Sequence, residues 1–136
     1  MRPAQPEDGP ALARARLQQA LLAALHARDT VAVSALRSAQ AAIGNAEAVV
    51  PPAAATGHRQ QHIAGSVAGL GAAEAPRRAL SAAETSRIIQ AEISERQDAA
   101  GLYERAGHAD RADRLRREAH ALAAVLADLD APAPEG

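Results

Sequence analysis

The sequence predicts an all-α protein of four helices, arranged as two helical hairpins joined by a long loop. Alanine, which has the highest intrinsic helix propensity, occupies 39 of the 136 positions. Apolar residues recur at helical spacing on both sides of a central segment. That segment, residues 49–79, is rich in glycine, proline and alanine and shows no amphipathic period. Together these three observations predict a single domain over residues 11–130.

The first hairpin is predicted over residues 11–47. Residues 1–10 carry three prolines and a glycine and are expected to form a mobile tail. A helix is predicted over residues 11–28, where apolar residues recur one turn apart: Leu17, Leu21, Leu25 and, beside them, Leu22. A second helix is predicted over residues 30–47, because Asp29 and Thr30 are both suitable N-cap residues. So short a connection favours an antiparallel hairpin over one bent rod.

The second hairpin follows the loop. Ser81 and Glu84 have the spacing of a capping box, and Leu80 precedes the cap, so a helix is predicted over residues 82–106 with Gly107 as its stop. A last helix is predicted over residues 109–129. Its apolar positions alternate in steps of three and four, as in a coiled coil: Ala112, Leu115, Ala119, Leu122, Leu126, Leu129. Residues 131–136 are expected to be a second mobile tail.

The central loop is longer than the loops of most compact domains, which makes it either functional or disordered. His58 and His62 within it have i, i+4 spacing, and a helical turn would bring their two imidazoles together. No glutamate follows the first histidine, as the helical zinc-protease motif requires. The sequence therefore predicts no metal site and no cofactor.

Composition excludes several classes of chemistry. The absence of cysteine excludes disulfides, thiolate catalysis and cysteine-ligated zinc. No serine lies in a G-x-S-x-G turn, and no catalytic residue is predicted. No apolar run reaches the ~18 residues of a membrane span, so we expect a cytoplasmic protein without a membrane partner.

The charge pattern argues against DNA as a partner. The formal net charge is −1, and Tyr103 is the only aromatic residue on which a base could stack. Four arginines lie close together in the fourth helix, but four acidic residues balance them over residues 109–129. We expect two i, i+4 ion pairs on the solvated face of this helix, Asp110 with Arg114 and Asp113 with Arg117.

Polar residues interrupt the apolar faces at two places. Glu92 and Arg96 fall in the middle of the apolar face of the third helix, one turn apart, and are expected to pair with each other. Arg37, Gln40 and Glu47 lie on one edge of the second helix and could complete a network with them. The network is interpreted either as a polar layer that sets the helix register or as a partner-binding site.

Two segments together resemble a known family. The first is residues 29–47, with Ser34, Leu36, Arg37, Asn45 and Glu47. The second begins at Leu80, and its matching residues are Glu92, Ile93, Arg96, Asp98, Tyr103, Glu104, Ala106 and Gly107. Their order and spacing resemble the YqeY-like proteins, also called GatB/YqeY domain proteins. The central connection is longer than the usual one in that family, and the small C-terminal helical domain of the family is not expected after "LDAPAPEG".

The resemblance implies an all-helical protein similar to the tail of the B subunit of the tRNA-dependent amidotransferase. That enzyme is a carbon–nitrogen ligase with glutamine as amido donor, and its tail helps to engage tRNA rather than to catalyse. The resemblance therefore implies an accessory or binding module that is not catalytic by itself. Its expected partner is tRNA or an amidotransferase-like complex. The candidate binding residues are Arg37, Gln40, Glu47, Glu92, Arg96 and Asp98.

A second hypothesis needs no tRNA. The alanine- and leucine-rich helices and the apolar positions of the fourth helix are also typical of a protein-interaction module or of a homodimeric helical scaffold. Under this hypothesis the partner is another protein or a second copy of the chain.

Overall fold

The computed structural model describes residues 8–48 and 78–131. Every element in these ranges is an α-helix: α1 (Asp8–His26), α2 (Thr30–Glu47), α3 (Ala82–Arg105) and α4 (Ala109–Asp130). The predicted all-α class with two hairpin-like pairs is confirmed. The predicted mobile tails and the loop over 49–79 lie outside the described residues, except for residues 8–10, 78–79 and 131.

The chain divides into two compact units. The first contains residues 1–43 and 80–136, and the second contains residues 44–79. Of the second unit, residues 44–48 and 78–79 are described. Within them the backbone N–H of Arg78 donates to the carbonyl oxygen of Glu47 at 2.8 Å, which satisfies one carbonyl at the C-terminal end of α2.

The turn between α1 and α2 consists of three residues. The N–H of Asp29 donates to the carbonyl of Ala24 at 2.9 Å and that of Arg28 to Leu25 at 3.1 Å, a Schellman arrangement. It places Arg28 in the left-handed region with φ +58°. Asp29 then caps α2, because its Oδ1 accepts from the N–H of Ala32 at 3.1 Å. Asp29 thus donates to the C-terminal end of α1 and caps the N-terminus of α2, so the connection between the helices is limited to three residues.

The start of α1 corrects the prediction of a tail over residues 1–10. The helix begins at Asp8, three residues earlier than predicted, and Pro10 lies in its first turn, where proline is tolerated. Gly9 approaches the first turn of α3 so closely that a Cβ at this position would clash with the Cβ of Ala82. Contact with α3 therefore helps to hold residues 8–10 in the helical conformation.

The N-terminus of α3 and the turn between α3 and α4 agree with the sequence-based prediction. The Oγ of Ser81 accepts from the N–H of Glu84 at 3.0 Å, as the capping box predicts, and Leu80 is buried. At the other end, Gly107 has φ +85°, and His108 donates to the carbonyl of Tyr103 at 2.8 Å. The turn is again a Schellman arrangement, here with the glycine that this conformation favours.

The core of the described residues is built from small side chains. Alanine provides eight of the eighteen buried apolar residues. The largest fully buried side chains are Leu17, Leu36, Ile89, Leu122 and Thr85. The hydroxyl of Thr85 donates to the carbonyl of Ser81 at 3.0 Å, so this buried polar group is satisfied. Because each alanine buries little area, the helices must lie close together to exclude water.

Two predicted apolar faces are shifted in the structure. On α1 the buried residues are Ala13, Leu17, Leu21 and Ala24, while Leu22 and Leu25 are 56% and 44% exposed. A helix repeats every 3.6 residues, so Ala24 rather than Leu25 continues the buried face. On α4, Val125 is buried, whereas Leu115, Leu126 and Leu129 are only partly covered. Across residues 8–48 and 78–131, none of the helices has the length and apolarity that crossing a bilayer requires.

We expect opposite effects from substitutions at the two left-handed turn residues. Arg28→Gly should raise the free energy of unfolding by about 0.5–1 kcal/mol, because glycine adopts positive φ without steric cost. Gly107→Ala should lower it by about 1 kcal/mol, although no atom within 4 Å would clash with the new Cβ. Urea unfolding followed by circular dichroism measures both. Gly44→Ala, in open space within α2, is the control for glycine removal and should be stabilising.

Candidate functional site

Arg96 and Glu92 form the predicted ion pair on α3. The Nη1 atom of Arg96 donates to Oε1 of Glu92 at 3.1 Å and to the Glu92 backbone carbonyl at 3.0 Å. The two side chains are 12% and 15% exposed. Their i, i+4 spacing on one helix allows the guanidinium to reach back over one turn. The sequence-based expectation of this pair is confirmed.

Glu118 of α4 adds a second carboxylate to the same guanidinium. The Nε atom of Arg96 donates to Oε1 of Glu118 at 3.0 Å. The other oxygen of Glu118, Oε2, lies 3.4 Å from Nε of Arg114. Glu118 is only 8% exposed, so it needs these cations to compensate for the loss of hydration.

Ser38 connects α2 to this pair of helices. Its Oγ donates to Oε1 of Glu92 at 2.7 Å, a short bond because the acceptor is charged. We call Ser38, Glu92, Arg96, Glu118 and Arg114 the polar network. It joins three helices from positions far apart in sequence, and its two carboxylates and two guanidinium groups give it no net charge.

The bonding pattern of the polar network is suited to holding helices rather than to catalysis. Arg96 is engaged through both Nε and Nη1, and each oxygen of Glu118 faces a cation. A general base needs a carboxylate that is free to reach the proton of a substrate in a pocket. These geometric requirements are not met at Glu118, which is consistent with the polar layer predicted from the sequence.

Two of the predicted network members lie elsewhere, so the prediction is wrong for Arg37 and Gln40. Arg37 is exposed, and Nε2 of Gln40 donates to Oε1 of Gln18 on α1 at 3.2 Å. At 100° per residue, Ser38 lies 160° around α2 from Gln40, which faces α1, and 100° from Arg37. Glu47 belongs to the second compact unit, where its carbonyl accepts from Arg78.

Ser38 and Glu118 are the members of the polar network that the sequence did not predict. The sequence held two indications of the role of Glu118. It lies four residues after Arg114, the spacing of a helical ion pair, and it directly precedes Ala119, one of the predicted apolar positions. The predicted pairing of Asp110 with Arg114 is wrong, since Arg114 pairs with Glu118. The predicted pairing of Asp113 with Arg117 is wrong too: Asp113 lies 3.6 Å from Arg116, which also contacts Glu104. The pairs that Arg116 forms with Asp113 and Glu104 are exposed, whereas Glu118 is buried.

Asp98 lies on the outer face of α3 and is exposed. It occupies the side of the helix opposite the buried Ile89 and Ala100. The structure therefore does not bring Asp98 into the polar network, to which Glu92 and Arg96 belong.

An open groove runs along the first hairpin beside its turn. We call it the hairpin groove; its lining residues are Leu25, Arg28, Thr30, Val33, Ser34 and Arg37. Its lining thus combines two apolar side chains, Leu25 and Val33, with the two arginines. The hydrogen bond between Gln18 and Gln40 closes the same side of the hairpin farther from the turn.

The arginines of α4 line a different surface. A shallow depression there is lined by Asp29, Arg116, Arg117, His120 and Ala121. Arg111 lies over the ring of Tyr103 at 5.6 Å from its centroid, a cation–π contact. Acidic residues interrupt this surface, as the balanced charge of the helix predicted.

The described residues contain no group of three or more histidine, cysteine or acidic side chains that could hold a metal ion. His58 and His62, the histidines with helical spacing, lie outside the described residues.

Comparison with known proteins adds nothing to these observations. No family model, no curated protein and no solved structure matches this chain.

We predict that Arg96→Met lowers the free energy of unfolding by about 3–5 kcal/mol, because it leaves two largely buried carboxylates without their shared cation. Arg114→Met is the matched control. Arg114 is 52% exposed, so its loss should cost less than about 1 kcal/mol. Urea denaturation of the three proteins measures the difference. Equal small effects of both substitutions would show that the network does not hold the helices together.

Ser38→Ala should lower the free energy of unfolding by about 1–2 kcal/mol, since Glu92 loses its short hydrogen bond from α2. Ser34→Ala, an exposed position on the same helix, is the control and should stay within about 0.5 kcal/mol of the wild type. Thermal unfolding followed by circular dichroism distinguishes them. A Ser38→Ala protein as stable as the control would remove α2 from the network.

Proposed function

We propose that the protein is a cytoplasmic α-helical accessory module that is not catalytic by itself and serves tRNA or a tRNA-dependent amidotransferase-like complex. The closed bonding of the polar network is the observation that carries the proposal. Glu92 and Arg96 are among the residues on which the YqeY-like resemblance rests, and both are bonded inside the fold. Such residues support architecture, which leaves recognition to the outer surfaces of the helices.

The first hairpin is the surface best suited to a polyanion. Residues 11–43 carry four arginines against one aspartate, and the acidic residues at the two ends of the hairpin, Asp8 and Glu47, bring its net charge to +1 in a chain whose total is −1. The aspartate within residues 11–43, Asp29, is engaged as the N-cap of α2. Arg28 and Arg37 are exposed on one side of the hairpin. Phosphate groups of tRNA would be attracted to this concentration of positive charge.

The fourth helix is less suited to the same role. Arg114 is engaged by Glu118, and Arg116 by Glu104 and Asp113. A phosphate would have to displace these carboxylates, which lowers the gain from binding. The proposal therefore places the contact with tRNA on the first hairpin.

In this proposal the carbon–nitrogen ligase chemistry, with glutamine as amido donor, belongs to the associated complex. The described residues contribute shape and charge, and no proton transfer is assigned to Glu92, Arg96 or Glu118. The helical module would help to hold tRNA while another subunit performs the amide transfer.

A protein-interaction module is the second candidate, and the exposed leucines favour it. Leu22, Leu25 and Leu102 are between 44% and 62% exposed. Single exposed leucines are common, but Leu22 and Leu25 lie one helical turn apart on the same side of α1. A partner protein would gain from covering them, whereas a phosphate backbone would not.

The tRNA proposal predicts binding that depends on the hairpin arginines. Unfractionated tRNA should bind the wild type at ~50 mM salt and dissociate progressively as salt increases. In Arg28→Gln/Arg37→Gln, the slope of log affinity against log salt should fall by about two, one for each phosphate contact. Filter binding over a salt series measures this slope.

The matched control is Arg87→Gln/Arg105→Gln, which removes two exposed arginines from α3 and should leave the slope unchanged. Absence of any tRNA binding at ~50 mM salt would contradict the proposal. An equal loss in both double variants would show that only the total charge matters and that the hairpin is not the contact surface.

A further inference from the structure

We propose that two copies of this chain associate, with the hairpin groove of one copy binding the outer face of α3 of the other. The observation behind this proposal is that one chain presents two exposed surfaces of similar character and opposite charge. Each combines exposed leucine with two charged side chains that have no ion-pair partner among the described residues. The inference goes beyond the proposed function and does not depend on tRNA.

The hairpin groove provides the basic surface. Leu25, which is 44% exposed, and the half-buried Val33 line it. Arg28 and Arg37 also line it, and neither makes an ion pair within residues 8–48 and 78–131. Leu22, one turn before Leu25 and 56% exposed, extends the apolar strip along α1.

The outer face of α3 provides the acidic surface. Glu95, Asp98 and Leu102 follow at i, i+3 and i+7, so they lie on one side of the helix. This side is opposite the buried Ile89 and Ile93. Leu102 is 62% exposed, the highest value among the exposed large apolar residues. Neither carboxylate has an ion-pair partner in the part of the chain that the structure describes.

The charges of the two surfaces are complementary on the scale of whole elements. The first hairpin, residues 8–47, carries four arginines against three acidic residues, a net charge of +1, while α3 contains five acidic residues against three arginines, a net charge of −2. Contact between two copies brings these unlike surfaces together. Complementary potentials both orient the encounter and disfavour contact between two like surfaces.

A second copy accounts for more of the exposed residues than a nucleic acid does. A phosphate backbone could pair with Arg28 and Arg37, but it would leave Leu22, Leu25 and Leu102 in water. A second copy covers the leucines of both surfaces and neutralises the arginines and the carboxylates in the same contact.

The expected association is weak. Three leucines and two ion pairs form a smaller contact than the ~800 Å² per partner of a standard interface. Exposed ion pairs add little affinity, and salt screens them. We therefore expect dissociation constants on the order of 10 μM, with at least a several-fold weakening between about 50 mM and 500 mM salt.

Sedimentation velocity of the full chain over about 1–500 μM tests the proposal, after nuclease treatment to remove RNA. The wild type should associate as concentration increases. Arg28→Glu/Arg37→Glu and Glu95→Arg/Asp98→Arg should each associate at least tenfold more weakly, because each makes both surfaces carry the same charge. Circular dichroism verifies that the variants keep their helices. Asp128→Arg, an exposed change on α4, is the control and should associate like the wild type.

Mixing the two double variants provides the decisive measurement. In the mixture, the acidic groove of one variant meets the basic α3 face of the other, and the unchanged groove and face also match. Association should therefore return to within about threefold of the wild type. No unrelated partner or RNA site would produce this mutual rescue.

A wild type that stays monomeric up to 500 μM overturns the proposal. So does association that neither double variant weakens, or association that requires RNA and is lost on nuclease treatment. Each of these results leaves the salt-dependent tRNA binding of the proposed function to be judged by its own measurement.

Discussion

The guanidinium of Arg96 is the interaction on which the packing of α2, α3 and α4 depends. It bonds two carboxylates, Glu92 on its own helix and Glu118 on α4, while Ser38 of α2 donates to the first of them. A charge this little exposed is stable only when its partners are in place. Helices that slide by one turn would separate all of these groups together. The network therefore selects one arrangement among the many that small apolar side chains permit.

The composition of the core explains why the polar network is needed to define the packing of the helices. Eight of the eighteen buried apolar residues are alanines, whose small and similar shapes allow helices to pack in more than one register. The close approach of Gly9 to Ala82 further restricts how α1 can lie against α3. The two Schellman turns restrict the direction in which each hairpin continues after its first helix. Specificity in this fold thus comes from polar bonds and turns more than from interlocking large side chains.

Because Glu92, Arg96 and Glu118 are bonded to one another inside the fold, both proposals place recognition on the outer surfaces of the helices. Arg28 and Arg37 are exposed on one side of the first hairpin, while the outer face of α3 carries Glu95, Asp98 and an exposed leucine. A tRNA contact on the hairpin and self-association between the unlike surfaces would both use Arg28 and Arg37, so the two proposals describe competing uses of one surface. Only self-association requires Glu95 and Asp98, so substitutions of these two residues distinguish the proposals.

The sequence by itself determined the four helices, the helix ends at Asp29, Ser81 and Gly107 and the Glu92–Arg96 pair, because all of these depend on residues within one helical turn or on the period of 3.6. Only the tertiary structure decided that Ser38 and Glu118 complete the network, that Arg37 and Gln40 do not, and that Leu25 is exposed. Those outcomes depend on which side of each helix faces its neighbours. Helices rich in alanine have several nearly equivalent apolar sides, so the choice is made by contacts between residues distant in sequence.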